Sequence, residues 1–159
     1  KIVAANTGLP TGKAPLSEGF AVFREFLQIK PDLHVGGQVR NGTTKGIDEN
    51  ALAAYNAPFP DDDHKQGVRQ FPNLVPGTPR TPSAEPNKEA WKILREWKKP
   101  FLCAFSDKDP IFSGVENSFY KLIPGCKDMP HVTIEDAGHF LQEDQPEACV
   151  DAILSIKDI

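Results

Sequence analysis

The residues with the greatest chemical capacity lie in the last third of the chain. They are an acidic loop, Asp107-Lys108-Asp109-Pro110, and a histidine, His139, 30 positions beyond Asp109. Each follows a short apolar run: Pro100–Ser106 (PFLCAFS) before the acids, and Val132–Glu135 before the Asp-Ala-Gly turn that leads into His139. Apolar runs of this length, bounded by proline or turn residues, read as buried parallel strands. Open α/β sheets carry their chemistry in loops at the carboxyl ends of such strands. A histidine there is a proton-transfer group near neutral pH. Gly138 reads as the residue that takes an awkward backbone angle just before it. A lone histidine would more simply satisfy a buried turn, and Asp107 and Asp109 could both be solvated turn formers. An acid loop and a histidine at two strand ends favour a catalytic acid among them.

The elements that must position these groups sit at both ends of the chain. Lys1–Asn6 (KIVAAN) is another apolar run that reads as a buried parallel strand, closed by Thr7-Gly8. Domains rarely begin on a central strand, so this run is expected to be the interior of a longer protein. A helix is expected over 114–123. A last one, Pro146–Ile156, is opened by Glu143-Asp144-Gln145 and carries Val150, Ile153 and Leu154 as apolar positions. Strand, acid loop, helix, strand, histidine, helix is the tail of a doubly wound α/β fold with a parallel sheet.

Residues 9–99 have a different character and read as a mostly helical insertion, or cap, between a core strand at 1–8 and the core half at 100–159. Ser17 can cap a helix over Ser17–Lys30 in which Phe20, Phe23, Phe26 and Leu27 share a broad face, with Phe20 and Phe26 as plain core. His34–Lys45, with Gly36, Gly37 and Gly42, reads as loop. Asp48–Ala57 and 62–72 read as helices, Pro72–Pro86 as a proline-rich crossing, and Glu85–Trp97 as a helix striped by Ala90, Trp91, Leu94 and Trp97. The two tryptophans are expected to pack the insertion on the core.

Composition excludes several function classes. A net charge of −4 argues against nucleic acid or an anionic membrane as partner. No stretch approaches the roughly 20 apolar residues of a membrane span. The 3 cysteines, Cys103, Cys126 and Cys149, are widely and oddly spaced, which suggests free thiols in a reducing, cytoplasmic setting. Asp61-Asp62-Asp63-His64 reads as a solvated helix start, since consecutive positions cannot all converge on one metal ion.

AFSDKDPIF followed by DAGHFLQED resembles the acid and base loops of the α/β-hydrolase fold, in that fold's order of acid before histidine. Tyr55-Asn-Ala-Pro-Phe-Pro-Asp61 and Gly67-Val-Arg-Gln-Phe-Pro72 narrow the likeness. They resemble the helical cap of haloalkane dehalogenases, most closely the subgroup whose acid follows the seventh strand. The resemblance covers nearly the whole chain. It implies that His139 is the general base that activates a water, and that Asp109, which precedes Pro110 as in the family pattern, holds and charge-stabilises the imidazole. It implies an aspartate nucleophile before Ile2, outside these residues, on an N-terminal half that is a separate chain or a further segment.

It also implies a small apolar, halogenated substrate, water as co-substrate, and no cofactor or metal. Phe23, Phe20, Tyr55 and Phe140 are the expected pocket residues. The family aims a cap tryptophan N–H at the leaving halide; the matching position in GFAVFREF is Phe23, which has no such donor. Alternatives are an epoxide hydrolase with Tyr55 protonating the opened ring, an esterase with a serine nucleophile, and a non-catalytic fragment or binding module.

Overall fold

The computed structural model describes residues 1–157. Three short parallel strands, β1 (Ile2–Ala4), β2 (Phe101–Ser106) and β3 (Val132–Ile134), form a sheet in the order β1-β2-β3. Ile2 registers with Phe101 and Ala104 with Val132. Among the described residues β1 has a neighbouring strand on one side only.

Between β1 and β2 run α1 (Glu18–Ile29), α2 (Val35–Asn41), α3 (Glu49–Asn56), α4 (Gln66–Leu74) and α5 (Ala84–Leu94); α6 (Glu116–Leu122) joins β2 to β3, and α7 (Leu141–Asp144) and α8 (Pro146–Leu154) follow β3. None of these helices is long and apolar enough to cross a membrane. The chain divides into two compact units. One holds the sheet and comprises Lys1–Leu9, Gly42–Lys45 and Glu89–Ile159; the other is helical, Pro10–Asn41 with Gly46–Lys88.

The unbroken apolar run of β2 follows from its position. All six of its residues are buried. Successive side chains of a strand point to opposite faces. Phe101, Cys103 and Phe105 therefore enter one core with Phe119, Ile123 and Cys126, while Leu102 and Ala104 enter the other with Ile134, Leu141, Ala152 and Ile156. In the first core Phe119 is the hub, its ring centroid 5.8 Å from Trp91, 5.6 Å from Phe101 and 6.2 Å from Phe105. Trp91, Leu94 and Trp97 pack against this core, and the Trp91 indole N–H donates to the Leu9 carbonyl at 2.7 Å. Residues 89–99, read from sequence as the end of the insertion, are thus part of the sheet unit, and α5 stops at Leu94 rather than Trp97.

All three thiols are free, as the spacing suggests. Burial pushes the Cys103 and Cys126 thiols up, so they remain protonated and pack as small apolar groups. His131, for which the sequence suggests no partner, is also structural. Its Nδ1 accepts the Cys103 N–H at 3.0 Å, which leaves Nε2–H to donate to the Cys126 carbonyl at 2.9 Å.

In the helical unit, Ser17 Oγ accepts the Phe20 N–H and caps α1. The buried residue of α1 is Leu27; Phe20 and Phe26, expected as core, are half-buried beside it. The open carbonyls at the end of α1 are satisfied from α4, where the Arg69 guanidinium donates to Leu27 and Lys30 at 2.6 and 2.9 Å. The helix α4 continues through a buried Pro72, so the proline-rich crossing begins only after Leu74.

The segment read as loop, His34–Lys45, contains α2 instead. Local propensity argued against it, since glycine weakens a helix interior by roughly 0.5–1 kcal/mol. Packing reverses the preference: the Gly36 N–H donates to Asn56 Oδ1 at 2.9 Å, and a Cβ on Gly36 would lie 2.7 Å from the Leu52 carbonyl oxygen. Gly36 is what lets α2 approach α3. Gly37 meets only His34 Cβ, at 3.4 Å. Gly36→Ala is expected to destabilise the helical unit by about 1–3 kcal/mol through overpacking, and Gly37→Ala to be neutral or stabilising by up to about 1 kcal/mol, both read by urea unfolding.

Candidate active site

The carboxyl ends of the three parallel strands meet at one edge. Asn6 follows β1, Ser106 ends β2, and the turn carrying His139 follows β3. The acid loop separates its two aspartates by geometry. Asp107 is exposed, and its Oδ1 accepts the Ala137 N–H at 3.1 Å, so it ties the β2 exit to the next turn. Asp109 is only 2% exposed. Its Oδ1 accepts the Ile111 N–H at 2.8 Å, and its Oδ2 lies 3.1 Å from His139 Nδ1. A carboxylate can only accept, so Nδ1 carries the proton and Nε2 keeps its lone pair.

The imidazole is held between rings. Phe112 stacks on it at 5.7 Å with an interplanar angle of 25°, and Phe140 meets it edge-on at 5.0 Å and 76°. A cavity of about 310 Å³ opens beside it, lined by Val3, Asn6, Ala104, His139, Phe140 and Ile153 among others.

The backbone under His139 is held by two small polar residues at the neighbouring strand ends. Asn6 is buried, and its Nδ2 donates to Ser106 Oγ at 2.8 Å and to the carbonyls of Gly138 and His139 at 2.9 and 3.0 Å. Its Oδ1 accepts the Ser106 N–H at 2.9 Å, and Ser106 Oγ donates to the Gly138 carbonyl at 2.7 Å. Asn6 has φ +35°, a backbone region that asparagine tolerates better than most residues.

The awkward angle expected of Gly138 belongs to Asp136, at φ +55°. Gly138 is needed for closeness instead: a Cβ there would sit 2.6 Å from the Gly42 carbonyl oxygen. The final helix is also broken. Phe140 leads into α7, and Gln145 leaves helical geometry (φ −141°, ψ 61°) before Pro146 starts α8.

Of the residues singled out from sequence, His139, Asp109 and Phe140 are thus brought together in the sheet unit. Phe20 and Phe23 lie on α1 and Tyr55 on α3, all half-buried within the helical unit. Ser106 and Phe112 were not singled out, and Asn6 was read only as the neutral residue where related enzymes sometimes place the acid, which favoured an acid further along the chain. A small polar residue closing an apolar run was the available signal for Asn6 and Ser106.

A buried acid after one parallel strand, paired with a histidine after the next and followed by a closing helix, defines this chain as part of an α/β-hydrolase. It belongs to the haloalkane dehalogenase family of that fold. It is 49% identical over 147 residues to a haloalkane dehalogenase of Psychrobacter cryohalolentis, a match covering 92% of this chain and 48% of that protein. It is 39% identical over 155 residues to one from Mycolicibacterium paratuberculosis, covering 98% of this chain and 51% of that protein. The solved tetrameric haloalkane dehalogenase DpaA from Paraglaciecola agarilytica superposes with a TM-score of 0.86 at 28% identity, over 99% of this chain and 52% of its own. No protein-family model matches the chain. The chain spans about half the length of the curated relatives it matches.

Proposed function

We propose that the complete protein hydrolyses carbon–halogen bonds of small apolar haloalkanes, and that this chain contributes the base, its acid partner and a cap. A nucleophilic carboxylate from the other half attacks the sp³ carbon; the carbon–halogen bond breaks with its electron pair leaving as halide, and an alkyl ester forms. Water then attacks the ester carbonyl while His139 Nε2 takes its proton. The acyl–oxygen bond breaks, the alcohol leaves with a proton, and the carboxylate is regenerated. Asp109 holds the imidazole with Nε2 facing its task and stabilises the imidazolium that forms. The single observation that supports this most is the contact of 3.1 Å between His139 Nδ1 and a buried Asp109.

On this reading the helical unit carries the cap residues Phe20, Phe23 and Tyr55 and the sheet unit carries Phe140, each as a substrate-pocket residue. No cofactor or metal takes part in this scheme. The other half docks on the sheet unit, where among the described residues β1 has an open side and α8 exposes Val150, Ile153 and Leu154. An apolar edge strand and an apolar helix face left bare would favour aggregation. The free thiols fit a reducing, cytoplasmic setting.

The test is bromide release from 1-bromobutane by the complete protein, with one alcohol formed per bromide, and no turnover by residues 1–159 alone. Conversion of an epoxide without bromide release would replace this reading by an epoxide hydrolase. A well-folded, active 1–159 would remove the need for a second half.

A further inference from the structure

Asp144 is a buried carboxylate for which the mechanism above has no use. It is 4% exposed and lies at the end of α7, five residues past His139. Its oxygens face backbone donors. Oδ2 accepts the Gly138 N–H at 2.9 Å, the Thr44 N–H lies 3.0 and 2.9 Å from the two oxygens, and Oδ1 accepts the Lys45 N–H at 3.0 Å. Lys45 Nζ donates to the Asp144 carbonyl at 3.0 Å.

These bonds fasten residues 42–45, a four-residue strap of the sheet unit that is flanked in sequence by the helical unit, to the turn that presents His139. The strap is fastened twice more. Thr44 Oγ1 donates to the Asp136 carbonyl at 2.8 Å, and the Phe140 N–H donates to the Gly42 carbonyl at 3.2 Å. Asn6 and Ser106 take the carbonyls of the same turn, and Asp144 takes a donor, so Gly138 is held from both sides. Burial alone would raise the Asp144 pKa, but the N–H groups of Gly138, Thr44 and Lys45 outweigh it and hold the carboxylate below its ordinary range.

We propose that Asp144 is a positioning residue for His139: it anchors the 42–45 strap and Gly138 as one rigid support, so that the imidazole stays on Asp109 with Nε2 aimed at the hydrolytic water. The inference rests on the hydrolytic reading of His139 given above. Its consequence is selective. Only the second half-reaction uses His139, so loosening its support slows ester hydrolysis and leaves ester formation intact. A purely structural role would lower both in proportion to the folded fraction.

The experiment uses the complete enzyme with 1-bromobutane and compares wild type, Asp144→Asn and His139→Gln. It reads kcat, kcat/KM and the alkylated fraction of the nucleophile peptide by mass spectrometry. In Asp144→Asn an amide NH₂ replaces one acceptor among three N–H donors. We expect kcat to fall roughly tenfold, kcat/KM to hold and the steady-state ester to rise several-fold. Equal losses in kcat and kcat/KM with no added ester, while His139→Gln does trap ester, would overturn the positioning role alone. Failure of His139→Gln to trap ester would overturn the reading beneath it as well.

If Asp144→Asn does not fold, Thr44→Val decides. It removes the hydroxyl that fastens the strap to the Asp136 carbonyl and leaves the Asp144 carboxylate and His139 in place. A raised ester fraction supports the proposal, and an unchanged one overturns it.

Discussion

His139→Gln in the complete enzyme is expected to stop turnover while still consuming one equivalent of haloalkane. Glutamine keeps a polar side chain at the site but has no nitrogen that can take a proton from water. Alkylation of the nucleophile needs no base, so the ester forms and accumulates, visible as a mass increase on the nucleophile peptide. Asp109→Asn is expected to lower kcat about a thousandfold to ten-thousandfold, by an argument specific to this loop. The Ile111 N–H points at Oδ1, so the amide must place its carbonyl there and its NH₂ toward His139 Nδ1. The imidazole then takes the opposite tautomer, with the proton on Nε2, where it can no longer accept one from water. Asp107→Asn, whose exposed carboxylate accepts the Ala137 N–H, is expected to change kcat less than threefold, since an amide carbonyl can take over that bond. Normal turnover by His139→Gln would remove it from the mechanism.

What the sequence makes legible follows from how locally each feature is determined. The run PFLCAFS can be read as a buried strand because both faces of β2 are covered and every position must be apolar. The pair Asp109 and His139 can be read because chain order places each after a strand, and the geometry depends on little else. Choosing Asp109 over Asp107 needed a motif, and the reason is visible only in three dimensions, where one carboxylate is sealed at 2% exposure and the other faces water.

The misread features are long-range. The α2 helix exists through close approach to Leu52 and Asn56, which no window of 36–42 contains. Asn6 draws its meaning from partners 100 and more positions away. Asp144 looks like the acidic start of a helix, which suffices to explain an Asp before Pro146; nothing local announces that Thr44 and Lys45 come to it.

The remaining large effect turns on Phe23. Its helix, α1, is capped by Ser17 and buries Leu27. On the proposed reading Phe23 stands where the resembling enzymes direct an indole N–H at the departing halide. A phenyl ring offers only the weakly positive rim of its quadrupole there, whereas an indole N–H is a true donor. Losing one hydrogen bond to a desolvated anion costs roughly 1.5–3 kcal/mol, about tenfold to a hundredfold in rate or halide affinity. The wild type is therefore expected to be slow with chloroalkanes and better with bromides and iodides, whose softer anions leave with less help. Phe23→Trp should raise chloroalkane turnover by about tenfold or more and tighten chloride binding, both measurable by halide release and by fluorescence titration of the new indole. The gain should be larger for chloride than for iodide, because the weaker leaving group draws more on the donor. Tight chloride binding by the wild type, together with no change in Phe23→Trp, would mean that another donor serves the halide and that α1 is aligned wrongly with the caps it resembles.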